Sequence, residues 1–266
     1  MTTAPLRGTP PHPAPRTSAA PLTGIVLAAL ALTSCSSDPT AATGDNPTRP
    51  VTVFAAASLK PAFTQIAHDH PNLKVTFTFD GSNSLVDQIS AGAKADVLAT
   101  ADTTTMGTAH TKKLLGGPEK AFATNVLTLI VPRGNPAAIT GLDQSLHGKK
   151  LVICAPAVPC GKATATLTRH LGVTLTPVSE ENKVTDVRGK VESGEADAGI
   201  VYTTDAKNSG DKVHTLPIRD TDKAINIYPI ALVADAPHPP DGQAFIDAVL
   251  SPKGQDVLKR YGFGTP

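Results

Sequence analysis

The chain has 266 residues, enough for one large or two small domains with a proper core, and its 24 basic and 23 acidic side chains leave a net charge of +1. No basic stripe or acidic tail breaks that balance, so the composition speaks against a nucleic-acid partner. With no Trp, three Tyr and seven Phe, the ring faces on which sugars stack are scarce, and a small polar ligand is favoured over a carbohydrate.

Residues 1–50 do not read as folded protein. Arg7 and Arg16 lie in a leader rich in Pro, Ala and Thr, and the apolar run Gly24–Leu32 follows. That run is shorter than the ~20 residues a helix needs to cross a bilayer, and it fits the apolar region of a signal peptide. It ends in Leu32-Thr33-Ser34-Cys35, which resembles a bacterial lipobox. The resemblance implies that residues 1–34 are a lipoprotein signal peptide and that Cys35 is lipidated, anchoring an exported chain to the outer face of the cell membrane. An ordinary signal peptide followed by an incidental Cys is the other reading. Residues 35–50, rich in Ser, Thr, Ala, Pro and Gly, read as a flexible tether.

From Val51 the pattern becomes regular. Val51–Ala56 reads as a buried strand, Ser58–His68 as a helix, and Leu73–Phe79 alternates as a strand. Ser84–Ile89 suggests a helix, Asp96–Thr100 a short strand, and Thr103–Leu114 a helix. Strands follow at Val126–Val131 and Lys150–Cys154, then helices at Gly161–Leu171 and Thr185–Glu192. Ala198–Tyr202 and Ile225–Val233 read as strands, and helices near Gly242–Leu250 and Lys253–Tyr261 close the chain. This alternation predicts an α/β fold with largely parallel sheets. Ligands in such folds sit off the carboxyl ends of strands, where helix N-termini offer free N–H groups.

If Cys35 takes lipid, Cys154 and Cys160 remain as a pair. Outside the cytoplasm they are expected to oxidise, closing a short loop worth roughly 2 kcal/mol on the chain-entropy account. Two free thiols or a metal site are the rivals, the latter weakened by the lack of a Cys-x-x-Cys or a nearby His. His68-Asp69-His70 before Pro71 reads as a solvated helix end. Cys160-Gly161-Lys162-Ala163-Thr164 is not a phosphate-binding P-loop, because Pro156 stands where its first Gly belongs. Neither Gly-x-Ser-x-Gly nor His-Glu-x-x-His occurs. The chain is therefore not expected to be an enzyme, to hold a cofactor or to bind a metal cation.

Phe54-Ala55-Ala56-Ala57-Ser58-Leu59, directly after a strand, is similar to the opening motif of periplasmic molybdate-binding proteins. Phe79-Asp80-Gly81-Ser82-Asn83-Ser84-Leu85, Val158-Pro159-Cys160-Gly161, Asp186-Val187-Arg188-Gly189 and Gly199-Ile200-Val201-Tyr202-Thr203-Thr204-Asp205-Ala206 follow in that family's order. Lys259-Arg260-Tyr261-Gly262-Phe263 resembles its ending, so the resemblance runs from Val51 to Phe263. It implies the two-lobed, type II periplasmic binding protein fold: two mostly parallel sheets with flanking helices and a ligand cleft between lobes. Lobe I would combine residues 51–125 and 230–266 and lobe II would span 126–229, with crossings near Val126–Val131 and Ile225–Pro229.

Carried over residue by residue, the resemblance places oxyanion ligands at Ser58, Ser82, Cys160, Val187 and Tyr202. The serines would give hydroxyl and N–H donors, Cys160 and Val187 backbone N–H, and Tyr202 its phenol. Read alone, Ser58 could be a helix N-cap, Ser82 a turn serine, and Tyr202 and Val187 core residues. The family often has a small residue such as Ala where Cys160 stands; a backbone donor leaves that side chain free to change, and a Cys154–Cys160 disulfide would pin the loop. A shell made only of donors suits a fully deprotonated dianion and disfavours hydrogen phosphate, whose proton wants an acceptor. The function implied is an exported, monomeric solute-binding lipoprotein that captures molybdate, or tungstate of nearly equal size. It would deliver the anion to an ABC permease and its ATPase subunit. Another oxyanion such as sulfate, a sensor domain and an exported enzyme are the rivals.

Overall fold

The computed structural model describes residues 50–266. The expected signal peptide, the lipidation site Cys35 and the tether as far as Arg49 lie outside the described residues. In chain order the elements are β1 (Val51–Ala56), a 3-10 turn (Ala57–Leu59), α1 (Lys60–His68), β2 (Val75–Asp80), α2 (Ser82–Ser90), β3 (Val97–Ala99), α3 (Thr103–Thr111), β4 (Lys120–Asn125) and β5 (Leu127–Pro132). They continue with β6 (Leu151–Cys154), α4 (Pro159–Leu171), β7 (Ser179–Glu181), α5 (Val184–Glu192), β8 (Ala198–Tyr202), α6 (Thr203–Ser209), β9 (Val213–Leu216), β10 (Asn226–Leu232), α7 (Pro239–Leu250) and α8 (Pro252–Arg260).

Two five-stranded sheets result, ordered β2-β1-β3-β10-β4 and β7-β6-β8-β5-β9. β1 runs parallel to β2 and β3, whereas β10 is antiparallel to β3 and β4. The second sheet repeats the arrangement, with β6 parallel to β7 and β8, and β5 antiparallel to β8 and β9. Each sheet is thus mixed, with β10 or β5 running against its other strands. The two halves are topological copies: β1, β2 and β3 of one correspond to β6, β7 and β8 of the other.

The chain crosses between the sheets at Val126, between β4 and β5, and returns ahead of Asn226, which pairs with Asn125 in the first sheet. Asn226–Pro229, assigned on sequence to the second lobe, therefore belongs to the first sheet. The reason is the ladder itself: Asn226, Ile227 and Tyr228 oppose Asn125, Thr124 and Ala123.

Strand alternation explains the layering of the first half. Val51, Val53 and Ala55 of β1 face a cluster with Phe63, Phe122, Tyr228 and Phe245, covered by α1, α7 and α8. Phe54 points the other way and joins Leu85, Leu98 and Met106 under α2 and α3. The second half has a single cluster that includes Leu129, Ile153, Val187, Val191, Ile200 and Tyr202. Pro in the first turn starts α1, α4, α7 and α8, where its missing N–H costs nothing. Among the described residues no helix is long and apolar enough to cross a membrane.

Candidate oxyanion-binding site

The carboxyl ends of β1, β2 and β3 meet those of β6, β7 and β8 across a small cavity. It is lined by Ala56–Ser58, Asp80–Ser82, Ala101, Val158–Cys160, Asn182–Val184 and Tyr202. Its volume of about 20 Å³ suits one species little larger than water and is far below the ~300–1,000 Å³ of pockets for drug-sized molecules. A larger groove of about 490 Å³ lies elsewhere on the second half, between Leu142–Leu151 and Val173–Val178.

Besides the short α6, which follows Tyr202, three helices begin at this cavity, and none has a side-chain cap. Gly81, Val158 and Lys183 hold the N-cap positions of α2, α4 and α5. Away from the cavity, α3 and α8 are capped by Asp102 on Thr105 N–H and by Ser251 on Gly254 N–H, while α7 has no side-chain cap. The first N–H groups of a helix have no partner within it. The cavity therefore faces unclaimed donors and the positive ends of three helix dipoles.

The hydroxyls are placed as precisely as the helices. Ser58, in the 3-10 turn after β1, is buried, and its Oγ lies 3.0 Å from the Tyr228 hydroxyl. Ser82 opens α2, and its buried Oγ accepts from Ala101 N–H at 3.0 Å. Neither serine caps its own helix. Tyr202 ends β8, 1 % exposed, and its hydroxyl has no hydrogen-bond partner among the described residues. Burial pushes that phenol well above its ordinary pKa, and Tyr228, Asp102 and Asp205 push it further, so it is held as a proton donor.

Cys160 lies in the first turn of α4 and is disulfide-bonded to Cys154 at the end of β6, with their Cα atoms 5.7 Å apart. Gly161 reinforces this closeness, because a Cβ there would come within 1.8 Å of the Ala155 carbonyl oxygen. Val187 is the one expected ligand whose residue does not line the cavity. Its side chain packs in the core, where a Cβ on Gly199 would lie 2.8 Å from its Cγ1. Asn182, Lys183 and Val184 reach the cavity from that part of the chain instead.

The charged groups at the rim are already engaged. Asp80 accepts from Gly81 N–H and Ser84 Oγ, both at 2.8 Å, and Lys183 Nζ lies 3.7 Å from its Oδ1. Asn83 Nδ2 donates to the Ala157 carbonyl at 3.2 Å, and Lys162 Nζ reaches Asp102 Oδ2 at 3.1 Å. The Lys183–Asp80, Asn83–Ala157 and Lys162–Asp102 contacts span the two halves. Gly81 lies hard against the other half, since a Cβ there would meet the Asn182 carbonyl oxygen at 2.3 Å.

Sequence reasoning missed Ala101, Asn125 and Tyr228. Ala101 acts through a backbone N–H, which no side chain advertises. Asn125 and Tyr228 lie in no motif; the signal available for Tyr228 was a phenol in a mostly apolar strand, since a buried phenol needs a partner. Among the described residues no cluster of His, Cys, Asp and Glu could hold a metal ion.

Residues 51–264 match the family described as bacterial extracellular solute-binding protein. The chain is 39% identical over 254 residues to the molybdate-binding protein ModA of Mycobacterium tuberculosis, covering 92% of this chain and 97% of that one. It is 33% identical over 228 residues to the molybdate-binding protein ModA of Escherichia coli, covering 80% and 88%. Its fold is similar to that of the periplasmic molybdate-binding protein of Azotobacter vinelandii, with a TM-score of 0.72 at 19% identity over 81% of this chain and 99% of that one.

Proposed function

The chain belongs to the bacterial extracellular solute-binding proteins, a family of binders rather than enzymes, and from that membership we propose that it captures molybdate in the cavity between its two halves. The observation that carries the proposal is the donor set. A cavity of about 20 Å³ is faced by uncapped helix starts and three hydroxyls, and its one cation, Lys183, lies beside Asp80. Such a shell can surround a small dianion with N–H and O–H dipoles while adding no fixed charge that would hold any anion indiscriminately. The relatives named as molybdate-binding, at 39% and 33% identity, support the choice of anion.

In this reading Ser58 and Ser82 give hydroxyl and N–H donors, Cys160 and Val187 their N–H groups, and Tyr202 its phenol. Val187 acts through the first turn of α5 while its side chain stays in the core. Tungstate, of nearly the same size, binds as a second ligand. The two lobes close over the anion by a hinge, and the closed monomer passes it to an ABC permease driven by an ATPase subunit. A lipid on Cys35 holds the protein at the outer face of the membrane.

The test is thermal unfolding of the purified, ligand-stripped protein with molybdate, tungstate, sulfate or phosphate. A ligand at a thousandfold excess over its Kd stabilises by ~4 kcal/mol, which is a rise of roughly 8–16 °C for a protein this size. The expected result is a shift of that order with molybdate and tungstate and none with the other two. No shift with any of the four rejects the proposal, and a shift with sulfate alone replaces molybdate by a smaller oxyanion.

A further inference from the structure

The hydroxyls around the cavity have a direction as well as a position. Val126 N–H can only donate, and it donates to Asn125 Oδ1 at 3.1 Å, which fixes the Asn125 amide the right way round. Thr203 Oγ1 donates to the same oxygen at 3.1 Å. The protons on Asn125 Nδ2 therefore point away, to Thr204 Oγ1 at 2.8 Å and to the Tyr228 hydroxyl oxygen at 3.3 Å.

A phenol has one proton. With its oxygen accepting from Asn125, Tyr228 has Ser58 Oγ, at 3.0 Å, as the nearest hydroxyl among the described residues to receive it. Ser58 Oγ accepts, and its own proton is left for the cavity. The opposite wall repeats the logic with a backbone donor. Ala101 N–H donates to Ser82 Oγ at 3.0 Å, and Asn226 Nδ2 holds the carbonyl of the next peptide, that of Ala101, at 2.7 Å. Ser82 likewise accepts from the protein and is left with a proton to give.

Resting on the reading that this cavity takes a tetrahedral oxyanion, we infer that Tyr228 and Asn125 are positioning residues that make the Ser58 hydroxyl an obligate donor. This fixed polarity is how the pocket selects a fully deprotonated oxyanion over a protonated one of similar size. An anion that keeps a proton must give it to an acceptor, and in this cavity Ser58 and Ser82 each take one bond from the protein, from Tyr228 and Ala101, and turn their single proton inward. Against either serine, the proton of such an anion would lie beside another donor.

Tyr228→Phe removes the hydroxyl and keeps the ring, whose centroid lies 5.5 to 6.3 Å from those of Phe263, Tyr202 and Phe122. Ser58 is then free to turn and accept. Titration calorimetry with molybdate and, at mildly alkaline pH, with hydrogen arsenate reads the result as a ratio of affinities. The expected outcome is a loss of roughly tenfold for molybdate with little or no loss for hydrogen arsenate, so that the ratio narrows by about tenfold. In a Ser58→Ala background the same substitution should leave the ratio alone, because the hydroxyl it directs is gone.

Asn125→Ala, which lets Tyr228 accept from Ser58, should narrow the ratio too, and it serves if Tyr228→Phe does not fold. Equal losses for both anions, or an unchanged ratio in a folded variant, overturn the inference and leave the molybdate reading standing. A wild-type protein that binds neither anion overturns that reading and this inference with it.

Discussion

A carboxyl group sealed from water holds its proton longer than one in solution, and Asp205 places that effect a turn behind the cavity. It lies on α6, 1 % exposed, with Oδ2 lacking any hydrogen-bond partner among the described residues. Arg188 of α5 faces it, Nη1 to Oδ1 at 3.6 Å, and also lies 3.2 Å from Glu192, which Lys212 meets at 3.4 Å. Burial pushes the Asp205 pKa up to about 7 from 3.8, against the pull of Arg188 and with some help from Glu192. Between those two values the folded chain keeps a proton that the unfolded chain has released. Stability from this group is therefore fully present below 3.8, falls as pH rises through about 7 and is flat beyond it. The loss is on the order of a few kcal/mol. Asp205→Asn should remove that part of the decline, so urea midpoints of the variant should change less than wild type from mildly acidic to mildly alkaline pH. Parallel pH profiles would show that Asp205 ionises as freely folded as unfolded. At this scale the sequence was legible where a side chain sits in a motif, as Ser58, Ser82, Cys160 and Tyr202 do. It was silent where a role depends on a long-range partner: nothing near Asn125 in sequence announces Tyr228 or Thr204.

Helix starts line the candidate site, and that of α4 is held by a covalent bridge. The Cys154–Cys160 disulfide ties its first turn to the end of β6, and Gly161 lets the helix approach the Ala155 carbonyl more closely than any Cβ would permit. Replacing both cysteines by Ala should lower stability by about 2 kcal/mol. If the bridge also holds the Cys160 N–H in place, molybdate affinity should fall severalfold in the same protein, as read by calorimetry. A destabilised variant with unchanged affinity would confine the bridge to holding the fold. The elements legible in sequence were those with an apolar signature: β1 and β8 were read with their observed ends, and β5 and β6 within a residue, because each is almost wholly buried. The strands missed were β4, β7 and β9, all at sheet edges. Edge strands expose one side to water, so Lys120 in β4, the Ser179-Glu180-Glu181 of β7 and His214 in β9 erase the alternation that betrays an inner strand.

At the scale of the whole molecule the two halves meet through a rim of polar contacts, with Gly81 against the Asn182 carbonyl. Gly81 has φ −59° and ψ 137°, a conformation open to any residue. Gly81→Ala therefore adds no backbone strain of its own and acts as a wedge only when the halves are closed. Molybdate affinity should drop by tenfold or more while the melting temperature of the ligand-free protein changes little. A large fall in that temperature, with affinity retained, would mean that the halves are packed together whether or not a ligand is present. The matched strand orders have a further consequence, one of timing. β5 to β9, all the strands of the second sheet, come from one uninterrupted stretch, so that half can complete its pairing by itself. The first sheet has a gap between β3 and β4 until the chain returns with β10. Tyr228 arrives on that last strand. A molecule caught before β10 docks would have most of its secondary structure and both serines in place, yet no fixed direction for the Ser58 proton. On the inference drawn above, the direction of the Ser58 hydroxyl is the last feature of the pocket to be set.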